Sequence, residues 1–171
     1  TNGVARQLKI HAGGKCADYS KFMASSGNND YGERVINVDP SMKDIRPYMV
    51  AFMICGKAID DTMLKDIIQP QEKLCWNFGR KRKSISMGVY RAEKIKFPAS
   101  YKAVDPDKTS FVPLQCDAPM TCRQILEEHP KGKDFGWIIK DLPKFPLLTD
   151  ANGDVMSMAP IINGAYLGAV Q

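Results

Sequence analysis

Residues 145–164 read FPLLTDANGDVMSMAPIING, and they contain the clearest local signal of structure in the chain. Two short apolar runs, Phe145–Thr149 and Val155–Met158, flank the turn-forming sequence DANGD at 150–154. Asn, Gly and Asp between two such runs are typical of a β-hairpin, because these residues tolerate the backbone angles that tight turns require. We therefore predict two antiparallel strands joined at 150–154.

The end of this stretch, SMAPIING at 157–164, is the candidate functional segment. A strand that runs into a proline and ends on an amide side chain and a glycine can present backbone and hydroxyl groups at the rim of a pocket. A strand that leads into an ordinary turn would use the same residue types. The residues alone leave both interpretations open.

Helix signals lie upstream. Thr121 and Gln124 match a capping box, which predicts a short helix ending near Pro130. The sequence DDT at 60–62 can cap a second helix that runs on to about Gly79. Because Pro70 interrupts that helix, we expect a kink or two helices there.

Strand signals are more numerous than helix signals. Residues 34–38, 48–55 and 84–90 resemble strands, and 98–112 is a mixture of strand and loop. Strands and helices do not alternate regularly. This pattern favours an α+β fold, with mixed sheets flanked by short helices, over a doubly wound parallel sheet.

The first 32 residues are expected to form a separate part of the chain. A short helix is predicted up to Gly13 and Gly14, and residues 24–32 are rich in turn formers, as in a linker. We therefore divide the chain into 1–32, the end of a preceding element and a linker, and 33–171, the main domain.

Composition excludes several classes of protein. A chain of 171 residues with 44% hydrophobic and 25% charged residues is typical of a globular domain, and its longest apolar runs are too short to span a bilayer. We expect a soluble, cytoplasmic protein without a membrane partner. The net charge of +5 favours an acidic partner such as RNA, although mildly basic domains are common.

Metal binding and disulfides are not indicated. The five cysteines are irregularly spaced and form no C-x-x-C pair, and the chain has only two histidines. We therefore expect reduced thiols and no metal site. His129 could act as a general base, but its position beside charged residues and a proline favours an exposed helix end.

The basic run Arg80, Lys81, Arg82 and Lys83 is a candidate phosphate-binding site. It also has the form of a solvated helix end, where cations complement the helix dipole. Trp76 and Phe78 could stack on bases, but their spacing favours a core position. The sequence contains no P-loop, no dinucleotide-binding glycine motif and no nucleophile elbow.

A set of motifs in one order resembles a known family, the archaeal- and eukaryotic-type beta subunit of phenylalanyl-tRNA synthetase. The segment SMAPIING is similar to that family's S-M-P-P-I-I-N-[SG] signature. The other matching motifs are GVARQ (3–7), KDIRPY (43–48), QEK (71–73), FGRKR (78–82), KIK (94–96), KGK (131–133) and FPLLTD (145–150).

The resemblance implies that the chain covers most of the editing domain (B-three/B-four), an α+β module that hydrolyses mischarged Tyr-tRNA. It identifies Leu148 and Ser157 as editing-pocket residues, with Pro160 and Asn163 nearby and Ser157 positioning substrate or water. It further implies the tRNA for phenylalanine as a partner, and the basic run 80–83 is the candidate contact on the ground of its charge.

The resemblance also implies partners and cofactors. The complete enzyme would be an alpha2-beta2 heterotetramer that uses ATP and magnesium and charges tRNA in its alpha subunit. No cofactor is expected within this chain, and no aminoacylation by it alone.

Some positions depart from the family pattern. Ala159 replaces the first proline of the signature, and YRAE at 90–93 stands where an aromatic-Asp-aromatic-Asp run is usual. The family's further pocket residues, an Asp and a Thr, belong to a strand expected after residue 171. A non-catalytic RNA-binding or scaffold module with the same fold therefore remains the alternative, and a free-standing editing protein is a further one.

Overall fold

The computed structural model describes residues 2–15, 32–53, 56 and 58–168. The chain divides into two compact units, Thr1–Glu33 and Arg34–Gln171. In the first unit, helix α1 spans Asn2–His11, and Gly13 follows it at φ +84°, in the left-handed conformation that glycine adopts easily. This helix was predicted. Of the predicted linker 24–32, only Gly32 belongs to the described residues.

The second unit is built on a five-stranded sheet whose strands, in spatial order, are β1 Ile36–Val38, β2 Ala99–Val104, β5 Phe145–Thr149, β6 Val155–Met158 and β7 Ile162–Asn163. Strand β1 is parallel to β2, and the other neighbouring strands are antiparallel. A separate pair comprises β3 Ser110–Phe111 and β4 Met120–Thr121. The predicted α+β class with mixed strands and short helices is confirmed.

The predicted hairpin is the centre of this sheet. Strands β5 and β6 have the predicted bounds, and Asp150 organises the turn between them. Its Oδ1 accepts the backbone N–H groups of Asn152 and Asp154, and its Oδ2 accepts that of Lys96. Because Asp150 is buried, these bonds compensate for the water that the carboxylate loses.

One face of the sheet is covered by two short helices. Helix α3, Cys122–Glu128, begins with the predicted capping box between Thr121 and Gln124. Helix α4, Pro130–Phe135, follows at once, and the sequence did not indicate it. The buried core on this face consists of Phe111, Cys122, Ile125, Leu126, Phe135, Ile139, Phe145, Leu147, Met158, Ile161 and Ile162.

The second face of the sheet carries a smaller core. Two segments that precede β2 in the chain, 42–49 and 90–97, and the short helix α5, Ala165–Gly168, cover it. Its buried members are Met42, Ala99, Tyr101, Leu148, Met156 and Leu167. The candidate site residues lie on this face.

Helix α2, Asp61–Trp76, begins with Asp60, whose carboxylate accepts the Met63 N–H at 2.8 Å. The predicted cap is confirmed, and a single helix runs through Pro70. Trp76 and Phe78 are 53% and 72% exposed, so the expectation that they belong to the core was wrong.

Two predicted strands are not present. Residues 48–53 and 84–90 have no regular structure, while 54 and 55 lie outside the described residues. Tyr48, Val50 and Phe52 are strongly exposed, so their apolar pattern does not face a core. The 84–90 segment binds a helix side chain instead of a strand, since Gln71 Nε2 donates to the Met87 carbonyl at 2.8 Å.

His129 is buried, not exposed as expected. Its Nδ1 accepts the Lys131 N–H at 3.1 Å and so caps helix α4. This bond occupies a nitrogen that a general base would need. Within the described ranges, no helix is long and apolar enough to cross a membrane.

Candidate functional site

Four side chains form a row across the second face of the sheet. Leu148 lies opposite Tyr101 on one side and opposite Ser157 on the other, and Ser157 lies opposite Asn163. Directly opposed residues of neighbouring strands project from the same face. The row therefore brings together three of the four predicted pocket residues, Leu148, Ser157 and Asn163.

A β-bulge accommodates Met156 without shifting this row out of register. Thr149 pairs with Val155, and Leu148 pairs with Ser157, so Met156 is an extra residue between the two pairs. Two residues of β6 thus face one residue of β5. If the ladder continued regularly from the Thr149–Val155 pair, Leu148 would pair with Met156, and Ser157 would project from the opposite face of the sheet.

Pro160 is the predicted pocket residue that does not belong to the row. It lies in the turn between β6 and β7 and is buried. The Arg82 guanidinium donates to the backbone carbonyls of Pro160 and Ile161 at 3.4 and 3.3 Å, respectively. Arg82 therefore fixes the turn that carries the end of the candidate segment.

Tyr90 completes the site, and sequence reasoning did not identify it. Its hydroxyl donates to Asn163 Oδ1 at 3.2 Å, and the same hydroxyl is also a hydrogen-bond partner of Ser157. Burial raises the pKa of Tyr90 to about 12, while the Ser157 bond opposes that rise. The phenol is therefore protonated at neutral pH and able to donate.

Ser157 has no activating partner among the described residues. Its single hydroxyl proton can be donated either to the Ile162 carbonyl at 3.4 Å or to the Tyr90 oxygen, and among the described residues neither a histidine nor a carboxylate is bonded to it. A serine without an adjacent base is a weak nucleophile. Burial also raises the pKa of the Cys122 thiol to about 11, which excludes a thiolate at that position near neutral pH.

Arg46 binds the other end of the row. Burial raises the pKa of Tyr101, and a hydrogen bond and the positive charge of Arg46 oppose that rise. Arg46 also donates to the Lys83 carbonyl at 2.8 Å. Arg46 thus links the Tyr101 end of the row to the basic run, whereas Arg82 links the basic run to the turn between β6 and β7.

The four basic residues have different environments. Arg82 is largely enclosed: it pairs with Glu72 at 3.1 Å and lies 4.2 Å from the centre of the Phe135 ring. Arg80, Lys81 and Lys83 are exposed, and the Lys81 ammonium lies 5.3 Å from the Trp76 ring centre. Three of the four predicted tRNA-contact residues are therefore accessible to a ligand.

Metal ligands are not grouped in the part of the chain that the structure describes. No cluster of three or more His, Cys, Asp or Glu residues there has a geometry that could hold an ion. Cys75, Cys116 and Cys122 are free thiols.

Comparison with known proteins identifies relatives along nearly the whole chain. The chain is 43% identical over 174 residues to the phenylalanine–tRNA ligase beta subunit of Treponema pallidum, which covers 99% of this chain and 29% of that protein. It is 41% identical over 168 residues to the corresponding subunit of Thermococcus sibiricus, which covers 98% of this chain and 29% of that protein. No protein-family model matches the chain.

The fold has a solved counterpart. The crystal structure of an N-terminal fragment of the phenylalanyl-tRNA synthetase beta subunit from Pyrococcus horikoshii matches with a TM-score of 0.82 and 38% identity, and the match covers 99% of this chain and 47% of that one. The chain spans somewhat less than a third of the curated relatives it matches. Sequence and fold together thus show that the chain is homologous to one segment of phenylalanine–tRNA ligase beta subunits.

Proposed function

We propose that the chain is the editing module of a phenylalanine–tRNA ligase beta subunit and that it hydrolyses tyrosine wrongly esterified to the tRNA for phenylalanine. The observation that carries the proposal is the row on the second sheet face. There an apolar side chain, Leu148, lies beside the polar groups of Ser157 and Asn163. Homology to the beta subunit supports it.

This arrangement suits discrimination between tyrosine and phenylalanine, which differ by one hydroxyl. A site that hydrogen-bonds that hydroxyl rejects the analogue lacking it by up to about 10⁴- to 10⁵-fold, because its own polar groups are left unpaired. Asn163 already binds a phenol, that of Tyr90. Leu148 provides the apolar wall along the ring.

A water molecule is the proposed attacking group. It adds to the carbonyl carbon of the ester, the bond to the ribose oxygen of the tRNA breaks, and tyrosine and free tRNA leave. Ser157 lacks the adjacent base that a nucleophilic serine needs, so its role is to orient substrate or water.

The tRNA would be held by the exposed cations of the basic run, Arg80, Lys81 and Lys83. Each can neutralise a phosphate of the RNA backbone. We further propose that the complete protein pairs with an alpha subunit in an alpha2-beta2 assembly, which uses ATP and magnesium for aminoacylation. The hydrolysis proposed for this chain requires neither.

The test is deacylation of preformed Tyr-tRNA and Phe-tRNA by the complete beta subunit with its alpha partner. The expected result is rapid loss of tyrosine alone. Ser157→Ala should slow it by about 10-fold, as expected when one positioning hydrogen bond is lost. Leu148→Trp should slow it too, because the larger side chain fills the space of the substrate ring.

Matched variants separate these effects from general damage. Ser110→Ala removes an exposed serine from β3, and Leu148→Met keeps the side-chain volume, so both should edit at close to the normal rate. Equal and slow loss of both esters by every protein would refute editing. That outcome would favour the non-catalytic RNA-binding or scaffold module.

A further inference from the structure

The polar groups of the row already hold a ligand from the chain itself. The Tyr90 hydroxyl donates to Asn163 Oδ1 at 3.2 Å, across 73 residues of sequence, and a hydrogen bond relates it to Ser157. Tyr90 packs against the same core as Tyr101 and Leu148. A tyrosine side chain therefore lies where a phenol-reading site would bind one.

Two glycines shape this contact. A Cβ at Gly88 would meet the hydroxyl and ring of Tyr90, and a Cβ at Gly168 would meet the Cβ of Asn163. Any larger residue at either position would displace one partner of the hydrogen bond. Both glycines are therefore needed for the close approach of the Tyr90 hydroxyl to Asn163.

The occupant can leave without breaking the sheet. Tyr90 belongs to residues 85–91, which have no regular structure, whereas Ser157 and Asn163 lie on paired strands. A rotation of the Tyr90 side chain would expose the groups that bind it. The strands would keep their hydrogen bonds.

We propose that Ser157 and Asn163 form a phenol-binding subsite that Tyr90 fills in the free protein, and that the tyrosyl side chain of Tyr-tRNA binds there once Tyr90 has turned out. The second half of this statement rests on the proposed function. The ligand class is a para-substituted phenol. Tyr90 thus competes with substrate and reduces its apparent affinity.

The subsite is tested with 4-methylphenol, which has the atoms of a tyrosine side chain, and with toluene as its match without the hydroxyl. Tyr90→Ala should bind 4-methylphenol saturably and gain thermal stability with ligand concentration, whereas toluene should give a weaker effect. Adding Asn163→Leu should abolish the preference. Tyr166→Ala, at an exposed tyrosine, should bind 4-methylphenol no more tightly than the unaltered chain does.

Equal binding of the two compounds by a folded Tyr90→Ala chain, or binding of neither, would overturn the subsite. If Tyr90→Ala does not fold, Tyr90→Phe retains the ring and removes only the hydrogen bond, and Gly88→Ala pushes the phenol aside. Both should then bind 4-methylphenol more tightly than the unaltered chain. Unchanged binding by both would contradict the proposal.

The kinetics of Tyr-tRNA deacylation test whether the Tyr90 side chain competes with the substrate for the subsite. If Tyr90 fills the subsite about nine-tenths of the time, Tyr90→Phe should lower the KM for Tyr-tRNA by up to about tenfold without lowering kcat. If Tyr90 had only a structural role, Tyr90→Phe would instead lower kcat and leave KM unchanged. In Tyr90→Ala, 4-methylphenol should inhibit hydrolysis competitively, and saturating ligand without inhibition would refute a shared site.

The two proposals fail in different ways. Binding of 4-methylphenol without hydrolysis by any variant would support the subsite and reject editing. Hydrolysis that Ser157→Ala slows, without any preference for the phenol, would support editing and reject the subsite.

Discussion

Burial extends to higher pH the range over which two phenols near the second sheet face stay protonated. It raises the pKa of Tyr90 to about 12 and raises that of Tyr101 as well. Each hydroxyl is therefore a hydrogen-bond donor across the physiological range. For Tyr90 the acceptor is Asn163, and a single side chain thereby determines whether the row is occupied.

The raised pKa of Tyr90 predicts a loss of stability at high pH. The native phenol keeps its proton up to about pH 12, but the unfolded one releases it near 10, so the unfolded state binds fewer protons between these values. The contribution of the Tyr90 phenol to the free energy of unfolding is complete below pH 10 and is lost as the pH rises through 12. It should amount to about 2 to 3 kcal/mol.

Urea unfolding from pH 9 to 12 measures this loss. Tyr90→Phe should lose less free energy of unfolding over that interval than the unaltered chain. Tyr166→Phe, at an exposed position, should behave like the unaltered chain. Cys122 also titrates with a raised pKa but contributes equally to all three proteins, and Tyr101, whose charge is the smallest of the causes that act on Tyr90, alters the comparison little. Identical curves for Tyr90→Phe and the unaltered chain would contradict the assignment.

Among the elements, the turn after α2 has an unusual backbone. Arg80, Lys81 and Arg82 have φ values of 50°, 54° and 69°, although none is glycine. Left-handed backbone costs such residues about 1 to 2 kcal/mol each. Bonds from Lys81 and Arg82 to helix carbonyls, both 2.9 Å long, and the side-chain contacts of Arg82 offset part of that cost.

This strain predicts a stabilising substitution. Arg80→Gly should raise the free energy of unfolding by about 1 kcal/mol, because glycine accepts a positive φ without a Cβ clash. Arg80→Ala removes the same charge and keeps the clash, so it is the matched control and should not stabilise. Thermal or urea unfolding distinguishes them, and equal stability of the two variants would exclude the strain as the cause.

Elements encoded by local chemistry were predictable from sequence. The hairpin has its turn residues between two apolar runs, and the Thr121 capping box needs residues only three apart. Residues 48–53 resembled a strand because they are apolar, but strand pairing depends on a distant partner. The same limit concealed Tyr90, whose acceptor is 73 residues away.

The candidate site was partly predictable for a related reason. Leu148, Ser157 and Asn163 were identified by family resemblance, and the register brings them together. Arg82 was grouped with its neighbours because charge alone cannot distinguish a solvated guanidinium from one bound to Glu72 and to turn carbonyls.

For the whole molecule, the net charge of +5 and the exposed part of the basic run point to a polyanionic partner. RNA binding through phosphates releases counterions and is therefore weakened by salt. Only side chains free to reach phosphates contribute to this dependence. Arg82 is already committed to Glu72 and the Pro160 turn.

Salt titrations of tRNA binding by the complete beta subunit follow from this difference. Arg80→Ala and Lys83→Ala should each weaken binding and reduce the slope of log K against log salt by about 1. Arg82→Met should leave the slope unchanged, and it serves as the control within the same turn. A slope that none of the three substitutions alters would place the RNA elsewhere.

The extra residue at Met156 has a consequence for evolution and for protein engineering. A chain that lacked residue 156 would still pair Val155 with Thr149 and Ser157 with Leu148. It would lose one apolar side chain from the second face but not the alignment of the row. The bulge is thus a place where this sheet tolerates a change in chain length, so homologues one residue shorter at this point would retain the same arrangement of their functional side chains.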